Sequence, residues 1–307
     1  MKNAQERKQS FWNFLSSSEA MKNRNKADFS GLQLTHEFHN YLVTGKRSYH
    51  YLSYFKDKYL SHKKPIIASL GCGSGHLERT LIKDFHYEYE EIHGFDINHH
   101  LIEFANQQSQ KLHLKNVHYF LMDLDKPQLS PSYYDLIIFF HSLHHVENLE
   151  ESLQAVKKAL KNNGFLLIVD FIGPTRFQWS DKQIEITQEL LDLLPLKYKK
   201  SLSYPSSVLN HKTKIIRPSP DQVVQGDPSE AVRSSDILRI VTNEFTIIEK
   251  KCMGGTLLSL LLHNIAGNFD ESNDADRTII LLLQKIEELV LKAFILEPNY
   301  VFIVATN

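Results

Sequence analysis

The segment Pro65-Ile-Ile-Ala-Ser-Leu-Gly-Cys-Gly-Ser-Gly-His76 places an apolar run directly before three glycines at alternate positions, Gly71, Gly73 and Gly75. Residues 66–70 have the length and branched side chains of a buried strand. The residues after the loop follow a helical period. A strand, a glycine loop and a helix together direct backbone N–H groups and a helix N-terminus toward a polar ligand. The segment therefore predicts a ligand site, and the rest of the chain must indicate which ligand.

Composition restricts the classes of protein to consider. The chain has 307 residues and a formal net charge of −1, so no global basic field attracts nucleic acid or an acidic membrane. No run approaches the roughly 18 apolar residues of a membrane span, and the N-terminus lacks an apolar signal core. The two cysteines, Cys72 and Cys252, have neither disulfide nor zinc spacing. We predict a soluble, cytoplasmic protein.

Metal and nucleic-acid ligands receive little support from the sequence. Among the 16 histidines, His141, His144 and His145 form a local cluster, but no nearby Cys or carboxylate pattern completes a metal shell. We therefore expect no metal cofactor. Basic residues concentrate at 197–200 and 212–217, where acidic residues surround them and no aromatic-basic recognition module is present. We expect a solvated face there rather than an RNA surface.

Strand and helix patterns alternate along most of the chain. This alternation predicts an α/β fold with a doubly wound, seven-stranded, mostly parallel sheet, built by right-handed crossovers. Asn163-Gly164 is predicted to stop the third helix as a left-handed cap. The predicted strands are 66–70, 91–96, 117–122, 134–140, 164–171, 245–249 and 300–306, and the helices between and after them begin at 76 and cover 99–111, 148–160, 256–266 and 274–295.

Two segments interrupt or precede this alternation. Residues 1–60 are helical in pattern and rich in aromatic side chains, which predicts an N-terminal helical cap. Residues 61–307 form the main predicted domain. Within it, an insertion at about 172–236 holds most of the prolines and is predicted to act as a lid over the substrate.

Acidic residues after two strands narrow the ligand. A dinucleotide loop has glycine at its first, third and sixth positions, whereas here the sixth position is His76. Asp96 ends the second strand about 20 residues beyond the loop, where a carboxylate accepts both ribose hydroxyls. Asp123 follows the third strand, suited to accept an adenine N–H, and Ile97 and Leu124 would flank the ring. These features predict an adenosine site with no phosphate requirement.

Four segments in order resemble the successive motifs of class I S-adenosylmethionine-dependent methyltransferases. The resemblance covers residues 60–172 and implies S-adenosylmethionine as cofactor, S-adenosylhomocysteine as product and a last strand inserted antiparallel beside the sixth. The family commonly carries an acidic residue two positions before the first loop glycine, to hold the cofactor's amino group, and this chain has Ser69. A hydroxyl and backbone groups would substitute for it. The segments are Ser-Leu-Gly-Cys-Gly-Ser-Gly (69–75), Gly-Phe-Asp-Ile-Asn (94–98), Leu-Met-Asp-Leu-Asp (121–125) and Asp-Leu-Ile-Ile-Phe-Phe-His-Ser-Leu-His-His-Val (135–146).

The resemblance assigns residues to the cofactor and to the reaction. Leu-His144-His145 resembles the Leu-His-Asp segment of O-methyltransferases whose histidine is the general base, so His144 takes the base position and His145 replaces the aspartate. In related methyltransferases the same histidine only shapes the pocket wall, and both roles stay open. His141 is expected to contact the methionine part of the cofactor. The predicted cofactor residues are Gly71, Cys72, Gly73, Gly75, Asp96, Ile97, Asp123, Leu124 and His141.

Substrate contacts are predicted from the insertion. Arg176, Gln178 and Trp179 follow the fifth strand at the ligand edge and suit a planar or anionic small molecule. The alternative is a packed turn with a structural arginine. Arg233 either faces the pocket or pairs locally with Glu230, and His145 completes the predicted substrate set.

We predict a methyltransferase that acts on a small molecule, at oxygen in preference to nitrogen. The alternatives are an RNA or protein methyltransferase and a non-catalytic protein that binds the same cofactor. An NAD-dependent reductase comes last, because the third fingerprint glycine and a Tyr-x-x-x-Lys relay are missing. The sequence does not determine the oligomeric state, and a homodimer stays open.

Overall fold

A single seven-stranded sheet organises the part of the chain that the computed structural model describes, residues 27–60, 64–202 and 211–307. Its spatial order is β3-β2-β1-β4-β5-β7-β6, and β7 runs antiparallel to both neighbours while the pairings among β1 to β5 are parallel. The predicted α/β class and the antiparallel last strand are confirmed. The strands are β1 (Ile66–Leu70), β2 (Glu91–Asp96), β3 (Val117–Leu121), β4 (Tyr134–Phe140), β5 (Leu160–Phe171), β6 (Thr246–Gly254) and β7 (Tyr300–Thr306).

Helices cover both faces of the sheet, as parallel strands require. One face carries a core that includes side chains of α5 and α8, and the other carries a core with side chains of α2, α3 and α4. β1 is buried along its whole length because it lies between these two layers. The helices are α1 (Gln33–Thr44), α2 (Tyr51–Tyr59), α3 (His76–Lys83), α4 (His99–Lys111), α5 (Leu149–Ala159), α6 (Asp181–Leu193), α7 (Pro220–Gly226), α8 (Ile237–Glu244), α9 (Leu258–Leu262) and α10 (Asp274–Lys292).

The end of α5 corrects one prediction. The helix ends at Ala159, and Leu160 already has extended backbone angles (φ −67°, ψ 138°), so Asn163-Gly164 is not its cap. Gly164 lies inside β5 instead. Leu160 is buried and pairs with Tyr134 of β4, so sheet pairing and core packing take the chain into the strand four residues before the predicted start.

The insertion joins the N-terminal helix in a third core. Buried side chains of α1, α6, α9 and α10 meet there, which places both predicted lid segments on one packed unit. The predicted domain boundaries stay predictions, and residues 1–26 of the predicted cap lie outside the described residues. Among the residues that are described, no helix is both long and apolar enough to cross a membrane.

Candidate active site

A cavity of about 290 Å³ opens at the carboxyl ends of β1, β2, β3 and β4. Every predicted cofactor residue except Gly75 lines it, and His145 of the predicted substrate set does so too. Parallel strands end together at one edge of a sheet, which explains how Gly71 and His141, far apart in the chain, meet here. The lining residues are Gly71, Cys72, Gly73, Ser74, Asp96, Ile97, Leu101, Asp123, Leu124, His141, Ser142, His145 and Val146.

The glycine loop turns through left-handed backbone conformations. Gly71, Gly73 and Gly75 have φ values of 77°, 52° and 75°, which side chains rarely permit. A Cβ on Gly71 would lie 2.3 Å from the Cβ of Ser142, and one on Gly75 would lie 2.5 Å from Tyr119 Oη. Gly73 has no atom within 4 Å of its Cβ position, so its backbone is open for a ligand to approach. Gly75 therefore supports the loop from behind, which explains its absence from the lining.

Asp96 fixes the loop to the end of β2. Its Oδ2 accepts a hydrogen bond from Gly73 N at 2.9 Å, and its Oδ1 accepts one from Asn98 N at 2.9 Å. Asp123 accepts from Asp125 N at 3.0 Å after β3. Both carboxylates line the cavity, with Ile97 and Leu124 adding apolar surface.

The segment after β4 forms the opposite wall. His141 has a φ of 54°, and its N–H donates to Val169 O at 2.8 Å. Its ring is accessible within the cavity, 5.9 Å from the ring centre of Tyr300. Its position inside the cavity, away from bulk water, and the neighbouring His144 and His36 lower the pKa of His141 against the opposing charge of Asp170, which favours the neutral imidazole.

His144 lies behind this wall between two carboxylates. Its Nδ1 is 2.5 Å from Asp170 Oδ1, and its Nε2 is 3.5 Å from Glu230 Oε1 of the insertion. Asp170 is fully buried and also accepts from the backbone N–H groups of Ser142 and Leu143 at 2.9 and 2.7 Å. Burial alone would lower the pKa of His144, but the charge of Asp170 and then that of Glu230 outweigh it and raise the pKa to about 9.

This network bears on the predicted base. His144 is absent from the residues that line the cavity, and an imidazolium has no lone pair with which to accept a proton. Neither carboxylate was predicted as a site residue. Asp170 had a signal, because it falls near the end of an apolar strand, as Asp96 does. Glu230 had no such signal, because only the tertiary fold of the insertion brings it next to His144.

His145 combines a cavity position with polar support from the insertion. Its Nδ1 lies 3.1 Å from Ser229 Oγ and 3.7 Å from Asp227 Oδ2. One ring nitrogen each of His144 and His145 and one Glu230 oxygen lie within 4.8 Å of one another. The fold thus supplies a carboxylate that no local sequence pattern indicated. Ion pairs with Asp170 and Glu230 already engage both nitrogens of His144.

The four predicted substrate residues of the insertion do not line the cavity. Arg176 donates to Glu230 O at 2.9 Å, and Gln178 donates to the carbonyl oxygens of Arg176 and Pro218. Trp179 is buried. These side chains hold the insertion's own turns together, which matches the packing alternative.

Arg233 pairs across the structure rather than with Glu230. Its two terminal nitrogens donate to the two oxygens of Glu150 at 2.7 and 2.8 Å, and Nε donates to Asp236 at 3.0 Å. Its local partner in the structure is thus Asp236. The bidentate contact joins the insertion to α5.

Comparison with known proteins identifies the family to which the chain belongs. Residues 62–238, more than half of the chain, match a family model described as a methyltransferase domain. The chain belongs to the class I S-adenosylmethionine-dependent methyltransferase family. The resemblance drawn from the four sequence segments is thereby confirmed.

Curated relatives match the chain only in part. It is 27% identical over 116 residues to fusarielin synthase FSL1 of Gibberella zeae, covering 36% of this chain and 4% of that protein. It is 29% identical over 136 residues to malonyl-[acyl-carrier protein] O-methyltransferase of Bacillus cereus, covering 44% and 48%. The chain spans less than half the length of either relative.

A solved structure shows the same fold over nearly all of the chain. Phosphoethanolamine N-methyltransferase 2 of Haemonchus contortus, in complex with S-adenosyl-L-methionine, superposes with a TM-score of 0.52 at 14% identity. The match covers 97% of this methyltransferase and 60% of that chain.

Proposed function

We propose that this protein transfers a methyl group from S-adenosylmethionine to a small-molecule acceptor, at oxygen in preference to nitrogen. The cavity carries the proposal, because it combines an open glycine loop with two carboxylates and an apolar wall. The O-methyltransferase relative supports the choice of oxygen. A small-molecule acceptor is supported by the packing of the insertion and α1, the two predicted lid segments, into one core.

Each part of the cavity suits one part of the cofactor. The backbone of Gly71 and Gly73 would face the methionine end, and Asp96 would accept the ribose hydroxyls. Asp123 would accept the exocyclic adenine N–H, between the apolar side chains of Ile97 and Leu124. The bound sulfonium would then need mainly alignment with the acceptor and exclusion of water.

An acceptor hydroxyl would need a proton acceptor. His141 combines a place in the cavity with a lowered pKa, so it is neutral at neutral pH and able to take the proton. The base role of His144 stays a prediction, and His141 is a second candidate for that role. Substrate contacts by His145, Arg176, Gln178, Trp179 and Arg233 also stay predictions, and the last four would require the insertion to leave its present hydrogen bonds.

Calorimetry and a transfer assay test the proposal. The purified protein should bind S-adenosylmethionine and S-adenosylhomocysteine, and it should move a labelled methyl group to a component of a hydroxyl- and carboxyl-containing metabolite mixture. Absence of cofactor binding would overturn the proposal. Binding without transfer to small molecules, RNA or protein would favour the non-catalytic alternative, and labelled RNA or protein would favour the macromolecular one.

A further inference from the structure

A carboxyl group is buried directly behind the glycine loop. Glu78 lies in the first turn of α3, and its side chain is fully inaccessible to solvent. Both of its carboxyl oxygens lack a hydrogen-bond partner within the described residues. Buried Glu287 differs, because its carboxylate accepts three backbone N–H groups, from Gly255, Leu257 and Leu258. A buried carboxyl without partners is costly, so Glu78 calls for a functional explanation.

The surroundings of Glu78 supply too little positive charge to balance it. Ionisable groups that interact with it come from the loop (Cys72), β2 (Asp96), β3 (Tyr119) and its own helix (Arg79). The Ser69 hydroxyl of β1 lies near enough to lower the pKa of Glu78 but does not meet the geometry of a hydrogen bond to it. Burial dominates and raises the pKa of Glu78 to about 7, against the opposing effects of Ser69, its own backbone N–H and Arg79. Ionisation of Glu78 in the folded protein therefore lowers the free energy of unfolding.

The cofactor brings a positive charge to the other side of the same loop. Its amino group is a cation at neutral pH, and the proposed site directs the methionine end toward Gly71, Cys72 and Gly73. Asp96 and Asp123 are the acidic residues among those that line the cavity, and the proposed site assigns them to ribose and adenine. Ser69, at the end of β1, carries no charge. Glu78 interacts with Cys72 of the lining and is the charge left for the ammonium group.

We propose that the Glu78 carboxylate, buried behind the glycine loop, balances the ammonium group of the bound cofactor and so acts as a positioning residue for its amino-acid end. This inference rests on the proposed function. It explains why an unpartnered acid occupies the first turn of α3, where the helix N-terminus also favours a negative charge. It further implies that cofactor affinity follows the ionisation of Glu78.

Two ligands separate this role from a general effect on the fold. S-adenosylhomocysteine carries the amino group, whereas 5′-methylthioadenosine shares the adenosine portion and lacks the amino acid. At pH 8 Glu78→Gln should weaken binding of S-adenosylhomocysteine by at least ~10-fold, the size of a charge-assisted interaction. Binding of 5′-methylthioadenosine should change less than about 2-fold. Ser69→Asp in the Glu78→Gln background should restore part of the lost affinity by returning a carboxylate to the same space.

The wild-type protein provides a test without substitution. Affinity for S-adenosylhomocysteine should fall as the pH drops from 8 to 6, because Glu78 becomes protonated, while affinity for 5′-methylthioadenosine stays level. Glu78→Gln should remove that difference. The variant should also melt at a higher temperature than wild type at pH 8. The difference should shrink as the pH falls and vanish only below the ordinary glutamate pKa of 4.5, where Glu78 is neutral in both the folded and the unfolded chain.

The outcomes are distinct. Wild-type protein that binds neither ligand would overturn the proposed function and this inference with it. Wild-type protein that binds both, with Glu78→Gln binding S-adenosylhomocysteine equally well, would overturn this inference alone. Equal weakening of both ligands by the variant would likewise overturn it, since a loss of loop structure would then explain the change.

Discussion

His144 is the residue whose surroundings most change its expected role. With its pKa raised to about 9, the imidazolium between Asp170 and Glu230 stabilises the fold fully below its unfolded pKa of about 6.5. That contribution is lost as the pH rises through 9. We expect His144→Gln to lower the free energy of unfolding by about 3 kcal/mol at pH 6.5, because it removes the positive charge that balances the buried Asp170 carboxylate. Urea unfolding from pH 6.5 to 9 should show the deficit shrinking.

A surface histidine provides the matched control. His100 is exposed on α4, so His100→Gln should change the free energy of unfolding by less than about 0.5 kcal/mol. A deficit for His144→Gln that grows above pH 7 would contradict the imidazolium assignment. A stable variant with ~10²-fold lower turnover and unchanged cofactor affinity would instead support the base role.

The predicted cofactor residues that line the cavity come together for a local reason. Asp96 and Asp123 each follow a strand, and the ends of parallel strands meet at one edge, so their proximity follows from the chain order alone. Glu230 and Glu78 could not be found in that way. Glu230 depends on how the insertion folds back, and Glu78 depends on a helix face turning toward the loop.

The glycine loop is the element that most directly controls the cavity. Gly73 and Gly75 both have positive φ, but only Gly73 lines the cavity and only Gly75 packs against Tyr119. We expect Gly73→Ala to cost about 1 kcal/mol of stability and to weaken cofactor binding at least ~10-fold. Gly75→Ala should cost more than about 2 kcal/mol through overpacking. Chemical denaturation and calorimetry measure the two effects separately.

Gly45 is the matched control for backbone strain. Its φ is 78°, no atom lies within 4 Å of its Cβ position, and it caps α1 away from the cavity lining. Gly45→Ala should therefore repeat the roughly 1 kcal/mol cost and leave cofactor binding unchanged. Equal cofactor affinity in Gly73→Ala and Gly45→Ala would show that the ligand does not approach the backbone at Gly73.

Element boundaries were predictable where one force dominates. β1, β2, β4 and β7 have the bounds that their apolar runs predict, because burial alone defines a central strand. The start of β5 was not, because Gly164 suggested a helix cap, whereas pairing of Leu160 with Tyr134 begins the strand four residues earlier. β6 similarly extends to Gly254, since β7 offers partners along that length.

At the scale of the whole molecule, the insertion is held by contacts that span long stretches of sequence. Val232 N donates to His144 O at 3.1 Å, and Ser234 Oγ donates to Gly173 O at 2.8 Å. Neither pairing has a periodic pattern that sequence reasoning could use. The sequence therefore indicated where the insertion interrupts the strand and helix alternation. It did not indicate which surfaces the insertion packs against.

Substitution of Arg233 distinguishes two roles for its side chain, attachment of the insertion to α5 and contact with the acceptor. Its bidentate pair with Glu150 lowers the pKa of that carboxyl to about 2, although Glu150 is half exposed and solvent screens the pair. We expect Arg233→Ala and Glu150→Ala to be non-additive in urea unfolding, with a coupling free energy of about 0.5–1 kcal/mol. Each variant should raise the KM for the acceptor equally, because each loosens the same attachment. Additive stability effects, with a raised KM in Arg233→Ala alone, would show that Arg233 contacts the acceptor instead.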